Sequence, residues 1–189
     1  MTRAMPLPFA HRLAQRADIP ALSTLMEAAI GDLQRGYLTP DQIQASRSVM
    51  GLDTQLVDDR TYFVVECDGR IAGCGGWSRR ATLFGGDHSA GRDSALLDPA
   101  KDAARVRAMY THPDFARRGV GRLILELCEG AATAEGFMRL ELGATLSGEP
   151  LYRACGYEVT ERFDVDTPSG IRVPLLRMQK TILASSAGC

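Results

Sequence analysis

No stretch of about 18 apolar residues occurs in the chain, so no membrane-spanning helix is expected. The first residues, Met1-Thr-Arg-Ala-Met-Pro-Leu-Pro8, lack the apolar run of a secretory leader, and none is expected there. Neither sign of charge is in excess. The 22 basic and 23 acidic residues leave a net charge of −1, which argues against a surface built for nucleic acid. Cysteine is sparse, odd in number and unpatterned. The five, at 67, 74, 128, 155 and 189, show no metal-ligand spacing, so no metal site is expected and the chain reads as reduced and cytoplasmic. Cys128 falls on an apolar helix face and reads as core. A nucleophilic role stays open for Cys155, which precedes Gly156.

What is present fits a single domain over residues 1–189, with Ala184 to Cys189 as a frayed tail. His11 to Arg16 suggests a first strand. A helix capped by Asp18 follows, with Ile19, Leu22, Leu25, Met26, Ala29 and Ile30 as its buried stripe. Thr39-Pro40-Asp41-Gln42 is a capping box opening a helix to about Met50. Strands at 60–67 and 70–77 flank the hairpin turn Asp68-Gly69. The segment 81–103 is either a functional loop, covering a second substrate, or a disordered insertion. A strand at 104–111, a helix at 119–135 closed by Gly136, a strand at 137–144, a short helix at 149–155 and strands at 157–165 and 171–180 complete the order. Val159, Phe163 and Val165 share one face of the penultimate strand, and Arg122 and Glu126 are spaced i,i+4 on the long helix.

The richest chemistry lies in Arg117-Arg118-Gly119-Val120-Gly121-Arg122, between a strand and a helix. Free N–H groups at a helix start favour anions. Glycines admit close approach of a ligand, and arginines present fork-shaped donors to phosphate. The turn reads as a pyrophosphate cradle. It is not a P-loop, since no GxxxxGK[ST] run exists, and the third glycine of a dinucleotide fingerprint falls on Ile124.

The stretch Val106-Arg-Ala-Met-Tyr-Thr-His-Pro-Asp-Phe-Ala-Arg-Arg-Gly-Val-Gly-Arg-Leu123 resembles the acetyl-CoA motif of the GCN5-related N-acetyltransferases (GNAT superfamily). A second match, Glu149-Pro-Leu-Tyr152-Arg-Ala-Cys-Gly156-Tyr157-Glu158, resembles the family's helix-turn-strand. The close likeness spans about residues 104–160. It implies an α/β (α+β mixed) acyl-CoA N-acyltransferase fold: a mixed, mostly antiparallel sheet with helices on both faces and two splayed central parallel strands, here 104–111 and 137–144. It also implies acetyl-CoA as cosubstrate and transfer to a primary amine of a small molecule or peptide by direct attack in a ternary complex. Met109, Tyr110 and Thr111 would meet the pantetheine arm. Arg117, Arg118, Gly119, Val120, Gly121 and Arg122 would hold the pyrophosphate. Tyr152 would protonate the departing sulfur. A homodimer is compatible with the resemblance.

The chain departs from the family pattern twice. Ala116 stands where the phosphate motif has Gln or Arg, leaving Arg117 or Arg118 to supply that donor. The strand Ala104–Tyr110 also lacks the glutamate that many members use as base. Glu66, Glu141, His112, His88 and Asp87 are the substitutes in sequence, with a water chain as another route. Arg107 is either a ligand for an acidic substrate group or an ordinary strand arginine. The missing carboxylate keeps a non-catalytic acyl-CoA-binding module open. A longer acyl chain or a hydroxyl acceptor is a further alternative.

Overall fold

The computed structural model describes residues 9–182. The leader region and the frayed tail considered above lie outside them. Strand β1 (Ala10–Leu13) is shorter than the 11–16 expected, because Arg16–Asp18 turns into a 3-10 helix. The Asp18 carboxylate draws this turn together, accepting from Gln15 N–H at 2.7 Å and pairing with Arg12. Helix α1 (Ile19–Leu33) buries Leu22, Leu25, Met26, Ala29 and Ile30, as its periodicity predicts; Ile19 is only half-buried.

Helix α2 (Pro40–Ser46) opens on the expected capping box but stops four residues early. The hydroxyls of Ser46 and Ser48 donate to Ile43 O and Ala45 O, competing with continuation of the helix. A five-residue helix, α3 (Thr54–Asp58), was not expected. It is too short for a periodic signal and starts because Asp53 caps it, accepting from Gln55 N–H at 3.1 Å.

Strands β2 (Tyr62–Cys67), β3 (Arg70–Ser78), β4 (Ala104–Thr111), β5 (Arg139–Ala144), β6 (Glu158–Asp166) and β7 (Arg172–Thr181) join β1 in a seven-stranded sheet ordered β1-β2-β3-β4-β5-β7-β6. Only β4 and β5 run parallel. Successive β2 residues face opposite ways. Val64 joins a cluster under α1 and α3 with Tyr62, Cys74 and Tyr110, whereas Val65 joins the cluster under α4 (Val120–Ala134). The stripe buried by α4 is Val120, Ile124, Leu125, Cys128 and Ala132. Leu123, Leu127 and Ala131 lie half-buried on its flank. Gly73 and Gly75 let α4 lie close to β3: a methyl on Gly75 would sit 2.7 Å from Ile124 Cγ2. Helix α5 (Glu149–Ala154) bridges β5 and β6. No helix among the described residues is long and apolar enough to cross a membrane.

The segment 81–103 is ordered, not a disordered insertion. Ala81 and Thr82 N–H donate to Ala95 O and Asp93 O at 3.0 and 2.9 Å, and Leu97 N–H donates to Arg79 O, so the segment folds back as an irregular hairpin. Phe84 packs against Gly143 of β5 and lies 5.9 Å from the Phe163 ring of β6.

Candidate active site

The central feature is a gap in the sheet. β4 pairs with β5 only through Ala104↔Leu140, Arg105↔Glu141 and Val106↔Leu142. Beyond that point β5 continues on β7 alone, so the β5-facing edge of β4 from Arg107 to Thr111 has no strand beside it. On its other edge β4 carries a bulge. Arg107 pairs with Gly76 and Tyr110 with Cys74, so Ala108 and Met109 together oppose Gly75. Ala108 takes φ +49°, a conformation L-residues rarely adopt, and Tyr62 Oη donates to its carbonyl at 2.7 Å. His112 N–H donates to Ala72 O. Strand alternation therefore sends the Thr111 N–H the other way, into the gap.

The chain then passes through the short turn Pro113–Phe115 to α4. Arg117 and Gly119 both have positive φ, +64° and +93°. The first helical bond of α4 runs from Leu123 N–H to Gly119 O, so the N–H groups of Val120, Gly121 and Arg122 have no helical acceptor. The two glycines do different work. Gly119 faces open space and is needed for its left-handed backbone. Gly121 is needed for packing, since a methyl there would lie 2.6 Å from Leu151 Cδ2 of α5.

These elements border a groove of about 580 Å³. Of the residues proposed for the cofactor, Met109, Tyr110, Thr111, Arg117, Gly119, Val120, Gly121 and Arg122 line it. Arg118 does not; its guanidinium lies over the Phe115 ring, 5.7 Å from the centroid. Arg122 makes no ion pair with Glu126, and no carboxylate lines the groove among the described residues. The far wall comes from α1 and the residues after it, including Ile30, Gln34 and Tyr37.

A smaller cavity of about 90 Å³ opens from the groove's inner end. The two share Met50, Met109, Tyr110, Thr145 and Tyr152. Tyr152 thus stands at their junction, and its Oη has only the Met109 thioether nearby, at 3.9 Å. Burial pushes its phenol above the ordinary tyrosine range, which keeps the proton in place. Its ring is seated by Gly148, where a methyl would lie 2.8 Å from Cε2, and by an edge-on contact with Tyr157.

The inner cavity is closed by Val49, Met50 and Gly51 after α2, by Leu83, Phe84 and Gly85, and by Arg107. Arg107 is not an exposed strand arginine: it is 3 % exposed and pairs with the buried Asp53 at 2.9 Å. Asp53 also binds Arg92 at 2.8 Å, and Arg92 reaches Asp87. Asp53 carries no motif in the sequence. Its one signal is its position as a helix cap ahead of Thr54.

The substitute bases are all engaged elsewhere and none lines either cavity. Glu66 pairs with Arg12, and Glu141 pairs with Arg105 and Arg177. His112 Nδ1 accepts from Asp114 N–H. His88 Nε2 lies 2.7 Å from Arg47 O, and Asp87 accepts from Thr54 N–H. Cys155 lies outside both cavities, and burial pushes its thiol up, away from a nucleophile's range. No group of three or more His, Cys, Asp or Glu able to hold a metal occurs among the described residues.

Residues 58–159 match the family model of the acetyltransferase (GNAT) domain. No curated protein matches the chain at a significant level. Among solved structures, a GCN5-related N-acetyltransferase from Rhodopseudomonas palustris superposes with a TM-score of 0.68 at 19% identity, covering 96% of this chain and 99% of that one. The PaiA N-acetyltransferase from Thermoplasma acidophilum, in complex with coenzyme A, gives 0.62 at 12% identity over 93% and 99%. YncA from Salmonella typhimurium, with its cofactor acetyl-CoA, gives 0.61 at 17% identity over 96% and 98%. The chain shares its overall fold with these proteins and belongs to the GNAT acetyltransferase family.

Proposed function

We propose that the protein transfers an acetyl group from acetyl-CoA to a primary amine by direct attack in a ternary complex. One observation carries this reading: the gap between β4 and β5, the left-handed arginine turn at the start of α4, and Tyr152 all border one groove. The residues present fit the cosubstrate. The free N–H groups of Val120, Gly121 and Arg122, with Arg117 and Arg122, suit a pyrophosphate. The unpaired edge of β4 suits an amide-bearing arm, whose groups would satisfy the strand's open N–H and C=O groups. Acetyl-CoA supplies the activated acyl carbon.

The chain's own residues position the reactants and manage protons. As the amine nitrogen bonds to the acyl carbon, the carbon–sulfur bond breaks. The nitrogen's proton leaves to water, and Tyr152 Oη gives a proton to the thiolate, recovering one from solvent. The raised phenol pKa keeps that proton on Tyr152 until the thiolate departs.

The test is thermal unfolding with and without acetyl-CoA, in the wild type and in Gly119→Asp. Aspartate tolerates the left-handed backbone better than most residues and puts a carboxylate in the cradle. Ligand at about 100 times its Kd stabilises the wild type by about 2.7 kcal/mol; the variant is expected to lose that shift. No shift in the folded wild type refutes the cradle.

A second reading, a non-catalytic acyl-CoA-binding module, is favoured by one fact. No carboxylate or imidazole lines either cavity among the described residues. Thiol release with a panel of amines separates the two readings, since a pure binder releases none above background.

A further inference from the structure

The second half of β4 depends on one strained residue. In a regular strand side chains alternate, so Arg107 and Tyr110, three apart, would face opposite ways. They share a face. Arg107 pairs with Asp53 at the start of α3, and Tyr110 packs in the cluster under α1 and α3. Val106 and Met109 pack on the other face, in the cluster under α4. Ala108 is the extra residue that makes this phase: together with Met109 it opposes Gly75, and it takes φ +49°. A slip of one residue would turn Met109, Tyr110 and Thr111 over together. All three line the groove, and the Met109 thioether lies 3.9 Å from Tyr152 Oη.

A left-handed alanine in a strand persists only where its surroundings hold it. The open β5-facing edge of β4 offers no such hold. It comes from β2. Tyr62 is fully buried, and its ring crosses β3 at Gly76, where a methyl would lie 2.7 Å from Cδ2. Its Oη donates to Ala108 O at 2.7 Å. Burial raises the phenol's pKa, so the proton stays on the donor. Gly75 clears space for the neighbouring residue, since a methyl there would lie 2.7 Å from Met109 Cγ. The peptide joining Ala108 to Met109 is trans and planar. With its carbonyl fixed on Tyr62, its N–H points the opposite way.

We propose that Tyr62 is a positioning residue for acyl transfer: its hydroxyl holds Ala108 in the left-handed conformation, which sets Met109 beside Tyr152 and fixes the open edge of β4 along the groove. Tyr62 touches no reactant and acts through Ala108 and Met109. This rests on the acetyl-transfer reading above.

The experiment is a double-mutant cycle on thiol release from acetyl-CoA, with alaninamide, lysine and benzylamine as acceptors and the fastest of them carried through. Tyr62→Phe keeps the ring and removes the donor. Ala108→Gly removes the need for it, since glycine takes a positive φ without strain. With Ala108 in place, Tyr62→Phe is expected to lower kcat about ten- to a hundredfold, the scale of a small misplacement at a reacting centre. In the Ala108→Gly background the same change is expected to lower it less than about threefold. Acetyl-CoA is expected to stabilise every variant, because the arginine turn is untouched. A purely structural Tyr62 would instead lower Tm in both backgrounds and leave kcat of the folded protein unmoved. A kcat for Tyr62→Phe within about threefold of the wild type, or an equal loss in both backgrounds, overturns this inference alone. If Tyr62→Phe does not fold, Ala108→Val decides, since a β-branched residue resists the left-handed backbone. Its kcat is expected to fall at least about tenfold, and a value within about threefold of the wild type overturns the inference. No release with any amine, despite acetyl-CoA binding, overturns the transfer reading and this inference with it.

Discussion

Removing the Tyr152 hydroxyl separates a catalytic role from a packing role. In Tyr152→Phe the ring keeps its seat over Gly148 and its edge-on contact with Tyr157. The hydroxyl's one protein neighbour is the Met109 thioether at 3.9 Å, a weak acceptor at long range. Stability should therefore change by less than about 1 kcal/mol. For a chain of this size that moves Tm by no more than about 2–4 °C. The rate should respond very differently. Proton transfer by a positioned side chain contributes about 10²–10⁴-fold, so kcat for thiol release should fall at least about a hundredfold with little change in KM for acetyl-CoA. The assay is steady-state thiol release at saturating acetyl-CoA, beside a thermal melt of the same preparation. A kcat within about threefold of the wild type, with Tm unchanged, would refute the assignment of Tyr152 as proton donor.

The pH profile follows from the groups facing the inner cavity, which are Arg107, Tyr110 and Tyr152. With no base on the wall, log(kcat/KM) should climb about one unit per pH unit up to the acceptor's own pKa, and that break should move when the amine is changed; a break fixed near pH 6–7 for every amine would reveal an enzyme base. Because burial raises the Tyr152 pKa, its acid form persists as pH rises through about 10, so no alkaline fall is expected below that pH. Gly75→Ala should destabilise by about 1–3 kcal/mol, lowering Tm by roughly 2–12 °C, because its methyl would sit 2.7 Å from both Ile124 Cγ2 and Met109 Cγ; an unchanged Tm would show that α4 is not seated on β3 so closely. Alkaline stability should fall as well. Burial pushes the Cys74 thiol from an ordinary 9.0 up to about 12, so its contribution is complete below pH 9 and is lost as pH rises through 12, and Tyr62 and Tyr110 shift in the same direction. A urea midpoint that stays flat from pH 8.5 to 11 would contradict this.

The groove proposed for the cosubstrate was legible because its parts are close in sequence. Residues 106–123 hold a strand edge, a turn and a helix start, and 149–157 hold the short helix that carries Tyr152. Backbone conformation and glycine spacing do the work there, and both leave a local trace. Two details left no local trace. The guanidinium of Arg118 lies over the Phe115 ring, outside the lining of the groove. Gly121 also makes room for Leu151, a residue thirty positions away. The bulge at Ala108–Met109 also left no signal in β4 itself. Its requirements lie on neighbouring strands, in Gly75 opposite it and in Tyr62, which holds the Ala108 carbonyl.

The inner cavity was not legible, for the complementary reason. Its wall is assembled from residues 49–51, 83–85, 107 and 175, brought together by the sheet order and by one buried ion pair. Each segment looks ordinary alone: the end of a serine-broken helix, a glycine-rich loop, an arginine on a strand. The pairing of Arg107 with Asp53 gives them a common purpose. It fastens the hairpin of 79–97 to the start of α3, through Thr82 O and Gly85 O on one side and the cap of α3 on the other. A carboxylate buried to 2 % exposure beside a guanidinium is strongly destabilising if either partner is removed. Asp53 and Arg107 are therefore the residues of this wall least open to change.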